Sequence, residues 1–114
     1  MSRQRVASIS DVPEGSVRVV ECNGHSLALS NVDGAFVAID NRCTHDDGPL
    51  GEGALRNGRV ICPRHGAGFD ARTGKVTSLP AVRDVACYEV TIDGGDIYVE
   101  CAAGDGQSEQ GVAS

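Results

Sequence analysis

The chain has no tryptophan, one methionine, two tyrosines and two phenylalanines among 114 residues. That scarcity leaves few ring faces for stacking nucleic-acid bases. No apolar stretch approaches the roughly 20 residues that span a bilayer, and no apolar run follows the two arginines of the segment Met1–Arg5. The expectation is therefore a cytoplasmic chain with no signal peptide and no membrane contact. Residues 84–114 contain seven acids and no Lys or Arg, so the formal net charge of −6 is unevenly placed. A continuous basic stripe of the kind a phosphate backbone requires is absent, which excludes nucleic acid as the expected partner. The five cysteines (Cys22, Cys43, Cys62, Cys87 and Cys101) are an odd number. An odd count argues against a complete disulfide framework and fits a reducing compartment. Cys22, Cys87 and Cys101 fall in strand-like runs and are expected to be small core hydrophobes.

What is abundant is glycine, 15 residues, with valine and isoleucine supplying most of the apolar stretches. Turn signals recur every 8–12 residues, the rhythm of an all-β domain. Asn23-Gly24 joins strands over Val17 to Cys22 and Ser26 to Ser30, and Asp33-Gly34 leads into Ala35 to Asp40. Asn57-Gly58 sits between Ala54 to Arg56 and Arg59 to Ile61, and Asp93-Gly94-Gly95 between Val85 to Ile92 and Asp96 to Cys101. Asn-Gly and Asp-Gly pairs are strong hairpin signals because both turn positions need positive φ. Val6 to Ile9 reads as a first strand, and no segment reads as a helix. The pattern predicts an antiparallel β sandwich or barrel carrying a two-loop insert, within one domain over 1–101. Residues 102–114, small and polar, read as a disordered tail.

The insert holds Cys43-Thr44-His45 and Cys62-Pro63-Arg64-His65, with sixteen residues between His45 and Cys62. The Ala54 to Ile61 hairpin would bring these two loops side by side. Two cysteines and two histidines can hold one zinc, so a structural zinc module is one reading. Structural zinc sites, however, usually pair their cysteines closely and their histidines further on. Here each loop offers one of each, which suits a binuclear centre with unlike irons, one held by cysteines and the other by histidines.

On these residues the chain resembles the Rieske family. Cys62-Pro63-Arg64-His65-Gly66, Phe69-Asp70 with Thr73-Gly74, and Leu79-Pro80-Ala81 extend the likeness, which runs from about Val6 to Cys101. The resemblance implies an all-β Rieske fold, with a cluster-binding subdomain at about 41–80 on an antiparallel base. It implies one [2Fe–2S] cluster per chain, Cys43 and Cys62 on one iron, His45 and His65 on the outer iron. It also implies that a loop containing Pro80 covers one side of the cluster and that Phe69 packs beneath it. Small residues at Gly48, Gly51, Gly66 and Gly68 would let backbone N–H groups approach the sulfurs. His25, at a hairpin turn, reads as exposed and not as a ligand.

High-potential members of the family carry a loop-to-loop disulfide and two hydroxyl side chains near the cluster. This chain has Gly48 and Arg64 at the first pair of positions, and Ala67 and Phe69 at the second. Loss of hydrogen bonds to the sulfurs and ligands lowers the potential, so a value low in the range of about −150 to +300 mV is expected. The branch it resembles is the small ferredoxin of aromatic-ring dioxygenase systems. That implies a flavin-dependent reductase as donor, a terminal oxygenase as acceptor, and no catalysis on a substrate by this chain. The small subunit of assimilatory nitrite reductase is the alternative. Asp46 and Asp47 flank His45, while Arg42, Arg56, Arg59, Arg64 and Arg72 fall in the same stretch. Pattern alone therefore gives the docking face no sign.

Overall fold

A computed structural model describes residues 3–43, 48–64, 66–79 and 83–101. Among these residues ten strands form two antiparallel sheets. The first has the order β1-β10-β9-β4-β3-β2 and the second β5-β6-β7-β8. The first sheet contains β1 (Arg3–Ser8), β2 (Val17–Cys22), β3 (His25–Val32), β4 (Ala35–Asp40), β9 (Cys87–Asp93) and β10 (Asp96–Glu100). The second contains β5 (Ala54–Arg56), β6 (Arg59–Ile61), β7 (Gly68–Asp70) and β8 (Val76–Ser78). The all-β expectation holds, and the only helical pieces among the described residues are single 3₁₀ turns at Ile9–Asp11 and Leu50–Glu52.

The predicted turn dipeptides close the hairpins. Asn23, Asp33 and Asn57 have φ of 50°, 54° and 53°, and the glycines that follow them have 86°, 91° and 77°. Two consecutive positive φ values match the right-handed twist of the flanking strands. Gly94 and Gly95 serve the β9–β10 hairpin in the same way, with φ of 61° and 87°. The first strand begins earlier than expected because Arg3 and Gln4 pair with Glu100 and Val99. Polar residues at an edge strand carry no hydrophobic signal, so this pairing was not visible in the pattern.

The first sheet curls towards a barrel. Its edge strands β1 and β2 approach each other, and the Asn23 backbone N–H donates to Gln4 Oε1 at 2.7 Å across the gap. Val12, Val20, Leu27, Leu29, Ala38, Ile97 and Val99 fill the interior. β3 alternates as a strand must. Leu27 and Leu29 point into that interior, while Ala28 and Val32 belong to a second core with Val17, Ile39, Leu50, Val60, Phe69 and Val85. Burial on both faces explains why β3 lacks the polar face of a half-buried strand.

The cysteine expectation is corrected. Cys22 and Cys101 form a disulfide with Cα atoms 6.4 Å apart and a sequence separation of 79. They lie at the ends of β2 and β10, elements far apart in the chain, so sequence spacing gave no hint of the pairing. Cys87 is exposed, not a core residue. His25 is half-buried rather than exposed. The reading of 102–114 as a disordered tail falls outside the described residues.

Candidate metal centre

β4 and β9 are neighbours, with Ala38 opposite Tyr88 and Ile39 opposite Cys87. The whole second sheet is inserted between these two adjacent strands. The Asp40 N–H donating to the Ala86 carbonyl at 3.0 Å marks where the chain leaves and returns. Asn41 fixes the departure. Its amide nitrogen donates to Ser26 Oγ at 3.0 Å, and its side-chain oxygen accepts from the Gly51 N–H.

Cys43 and Cys62 follow the same local plan. The Cys43 N–H donates to the Gly48 carbonyl at 2.9 Å, and the Cys62 N–H donates to the Ala67 carbonyl at 2.7 Å. Each cysteine therefore closes a loop on the residue five positions ahead. His45 lies in sequence between one pair of loop ends and His65 between the other, and both histidines fall outside the described residues. So do Asp46, Asp47, Pro80 and Ala81.

Both cysteines are buried, at 0% and 2% exposure, in one core with Leu50, Val60, Ala67, Phe69 and Ala71. Apolar burial raises the cost of a lone thiolate. A cationic metal centre removes that cost, so two buried cysteines on short closed loops fit an iron–sulfur group. Phe69 is fully buried in this core, as expected of packing beneath the site.

Residues that the sequence did not single out hold the loops in place. A side chain at Gly53 would overlap the Ile61 carbonyl and come within 3.2 Å of Pro63 Cδ. The backbone entering β5 must therefore lie against the end of β6, immediately before Cys62. Asp70 Oδ1 accepts from the Arg72 and Thr73 N–H groups at 2.8 and 3.2 Å. Asp84 Oδ1 accepts from the Val76 N–H at 2.9 Å, tying β8 to the returning chain. Such Asp-capped turns have a sequence signature, Asp followed by small polar residues, but their location depends on the fold. Gly51 and Gly68 pack against Val19 and against Thr77 and Ser78, which gives them an ordinary packing role.

Residues 2–89 match the family described as the Rieske [2Fe-2S] domain. The chain belongs to that family. It is therefore a carrier of a Rieske-type [2Fe–2S] cluster. It is 38% identical over 101 residues, 88% of this chain and 94% of the relative, to the 3-phenylpropionate/cinnamic acid dioxygenase ferredoxin subunit of Shigella flexneri serotype 5b (strain 8401). Among solved structures it is similar to the ferredoxin of carbazole 1,9a-dioxygenase from Nocardioides aromaticivorans IC177. There the TM-score is 0.83 at 31% identity, covering 87% of this chain and 97% of that one. It is also similar to a chain in the complex of reduced oxygenase and oxidized ferredoxin in carbazole 1,9a-dioxygenase. That match has a TM-score of 0.80 at 34% identity and covers 85% of this chain and all of the other. This Rieske chain matches ferredoxins along nearly their whole length, and its role is electron transfer rather than catalysis. Among its described residues no helix is long and apolar enough to cross a membrane.

Proposed function

We propose that this Rieske protein takes single electrons from a flavin-dependent, NAD(P)H-linked reductase and delivers them to a terminal oxygenase. The observation that carries the reading is the pair of buried cysteines, each closing a short loop in a chain that spans nearly the full length of dioxygenase ferredoxins. Cys43 and Cys62 would hold one iron, and His45 and His65 the outer one. The cluster, when bound, takes up and releases one electron. The protein's own part is to keep water from the thiolates with Leu50, Val60 and Phe69, and to fix the loop ends through the Cys43 and Cys62 amides.

The same reading sets the chain in the cytoplasm, where the reductase draws on nicotinamide. The Cys22–Cys101 bond persists there because both sulfurs belong to buried residues, at 0% and 2% exposure. Thiol exchange requires access to a sulfur. Cell fractionation tests the placement.

EPR of the dithionite-reduced protein is the decisive measurement. A rhombic signal with a low average g value is expected, and it should be lost in Cys43→Ser and Cys62→Ser. A colourless, EPR-silent protein that releases zinc would overturn the reading. Delivery of electrons from reductase to oxygenase, reconstituted with and without this chain, then tests the partners.

A further inference from the structure

The charge of this chain is unevenly distributed along its sequence. Residues 42–83 contain seven Lys or Arg against four acids, and the remainder contains three against twelve. The second sheet places part of that positive charge on one surface. Leu55, Val60 and Phe69 point into the core. The alternate positions Ala54, Arg56, Arg59 and Ile61 therefore share the outer face. Arg56 and Arg59 are direct cross-strand partners, and both are exposed.

Like charges placed directly opposite each other destabilise a sheet, and among the described residues neither arginine is held in an ion pair. Among the described residues the ion pairs are Arg3–Asp93 and Arg5–Asp96, both on the first sheet. Asp70 is opposite Arg59 in the β6–β7 register, but its carboxylate accepts from the amides of its own turn. A shallow trough lies on this face, lined by Gly53, Ala54, Arg56, Ile61, Cys62 and Pro63, with a volume of about 540 Å³. Its floor is apolar, and it runs from Arg56 to the residue after Cys62. Arg64 is exposed in the loop beyond. An apolar centre with a charged rim is the anatomy of a transient protein interface.

We propose that this outer face of the β5–β6 hairpin docks an acidic patch on a protein electron-transfer partner, with Arg56, Arg59 and Arg64 as its cationic rim. The redox identity of the partner rests on the function proposed above; the sign and place of the face do not. The negative first sheet turns away from such a partner and the positive second sheet towards it. A net-negative protein thus approaches an acidic surface with its cluster end leading.

The test uses gold surfaces bearing carboxylate-terminated or amine-terminated monolayers, with adsorption read by quartz microbalance at pH 7. Despite a net charge of −6, the full-length protein is expected to bind the carboxylate surface at low salt. Binding should weaken as ionic strength passes about 0.1 M, where the Debye length is about 10 Å. Arg56→Glu/Arg59→Glu should weaken it at least about tenfold, the lower end of electrostatic steering effects. Arg56→Lys/Arg59→Lys should retain it, and so should Arg18→Glu on the first sheet. Unfolding midpoints of all variants should match the parent, since every one of these side chains is exposed.

Binding to the amine surface alone, or equal losses in Arg59→Glu and Arg18→Glu, would overturn the proposal. So would equally tight binding of a 20-bp DNA duplex at the same salt, because the face would then be reading phosphate. A colourless zinc protein that still adsorbs through Arg56 and Arg59 would refute the electron-carrier reading and leave the face standing. A cluster-loaded protein indifferent to both arginines would do the reverse.

Discussion

Ala67 sits fully buried beside the second cysteine loop, and its carbonyl accepts the Cys62 N–H. It has no hydroxyl, at a position where the resemblance to the Rieske family leads one to expect a hydroxyl in high-potential members. Ala67→Ser should restore a donor near the sulfurs and raise the midpoint potential, as read by protein-film voltammetry. A parent potential already near the top of the Rieske range would contradict this account of the site. Gly53 makes a different point at the same scale. Its Cβ position is occupied by the Ile61 carbonyl, so Gly53→Ala must push β5 away from β6. A loss of about 1–3 kcal/mol in urea unfolding, typical of overpacking, is expected together with poorer cluster retention. The two loop cysteines stood out in the sequence because each lies two or three positions from a histidine, and the structure buries both in one core. Gly53 did not stand out, because what excludes a side chain there is a carbonyl eight residues away that only the folded hairpin brings into place.

The hairpins are the elements that the sequence describes best. Asn-Gly and Asp-Gly turns specify both the reversal and the register, and a register slip would turn every core residue to the wrong face. The β5–β6 hairpin falls on the expected residues, Ala54–Arg56 and Arg59–Ile61. Replacing Asn57-Gly58 with Ala-Ala forces two left-handed positions on residues that resist them. A cost of about 2–4 kcal/mol is expected from the usual penalty of about 1–2 kcal/mol per residue. Chemical denaturation measures it, and cluster absorbance should fall in the same transition. Elements without such punctuation were harder to place. β1 extends over charged residues whose only reason to be extended is the partner strand β10. The start of β9 at Cys87 is set by pairing with Ile39, a long-range fact with no local signal.

At the scale of the whole molecule, the Cys22–Cys101 bond closes a 79-residue span. A native crosslink of that length contributes roughly 2–4 kcal/mol, mainly by restricting the unfolded chain. Cys22→Ala/Cys101→Ala should lose about that much stability, and reductant should then have no further effect on its unfolding midpoint. An unchanged midpoint on reduction of the parent would argue that the bond is not formed in solution. The bond was hidden from the sequence because its partners lie on strands joined only through the closing of the first sheet. Both cysteine loops, residues 43–48 and 62–67, lie inside the covalent ring that it creates. That ring has a mechanical meaning. Tension applied between Arg3 and Cys101 passes along β1 and β2 to the sulfur bridge and leaves the ring slack. Single-molecule stretching of the oxidised protein should therefore release only the segment before Cys22, about 3.3–3.6 Å per residue at full extension. The two cysteine loops bear load only once the bridge is reduced.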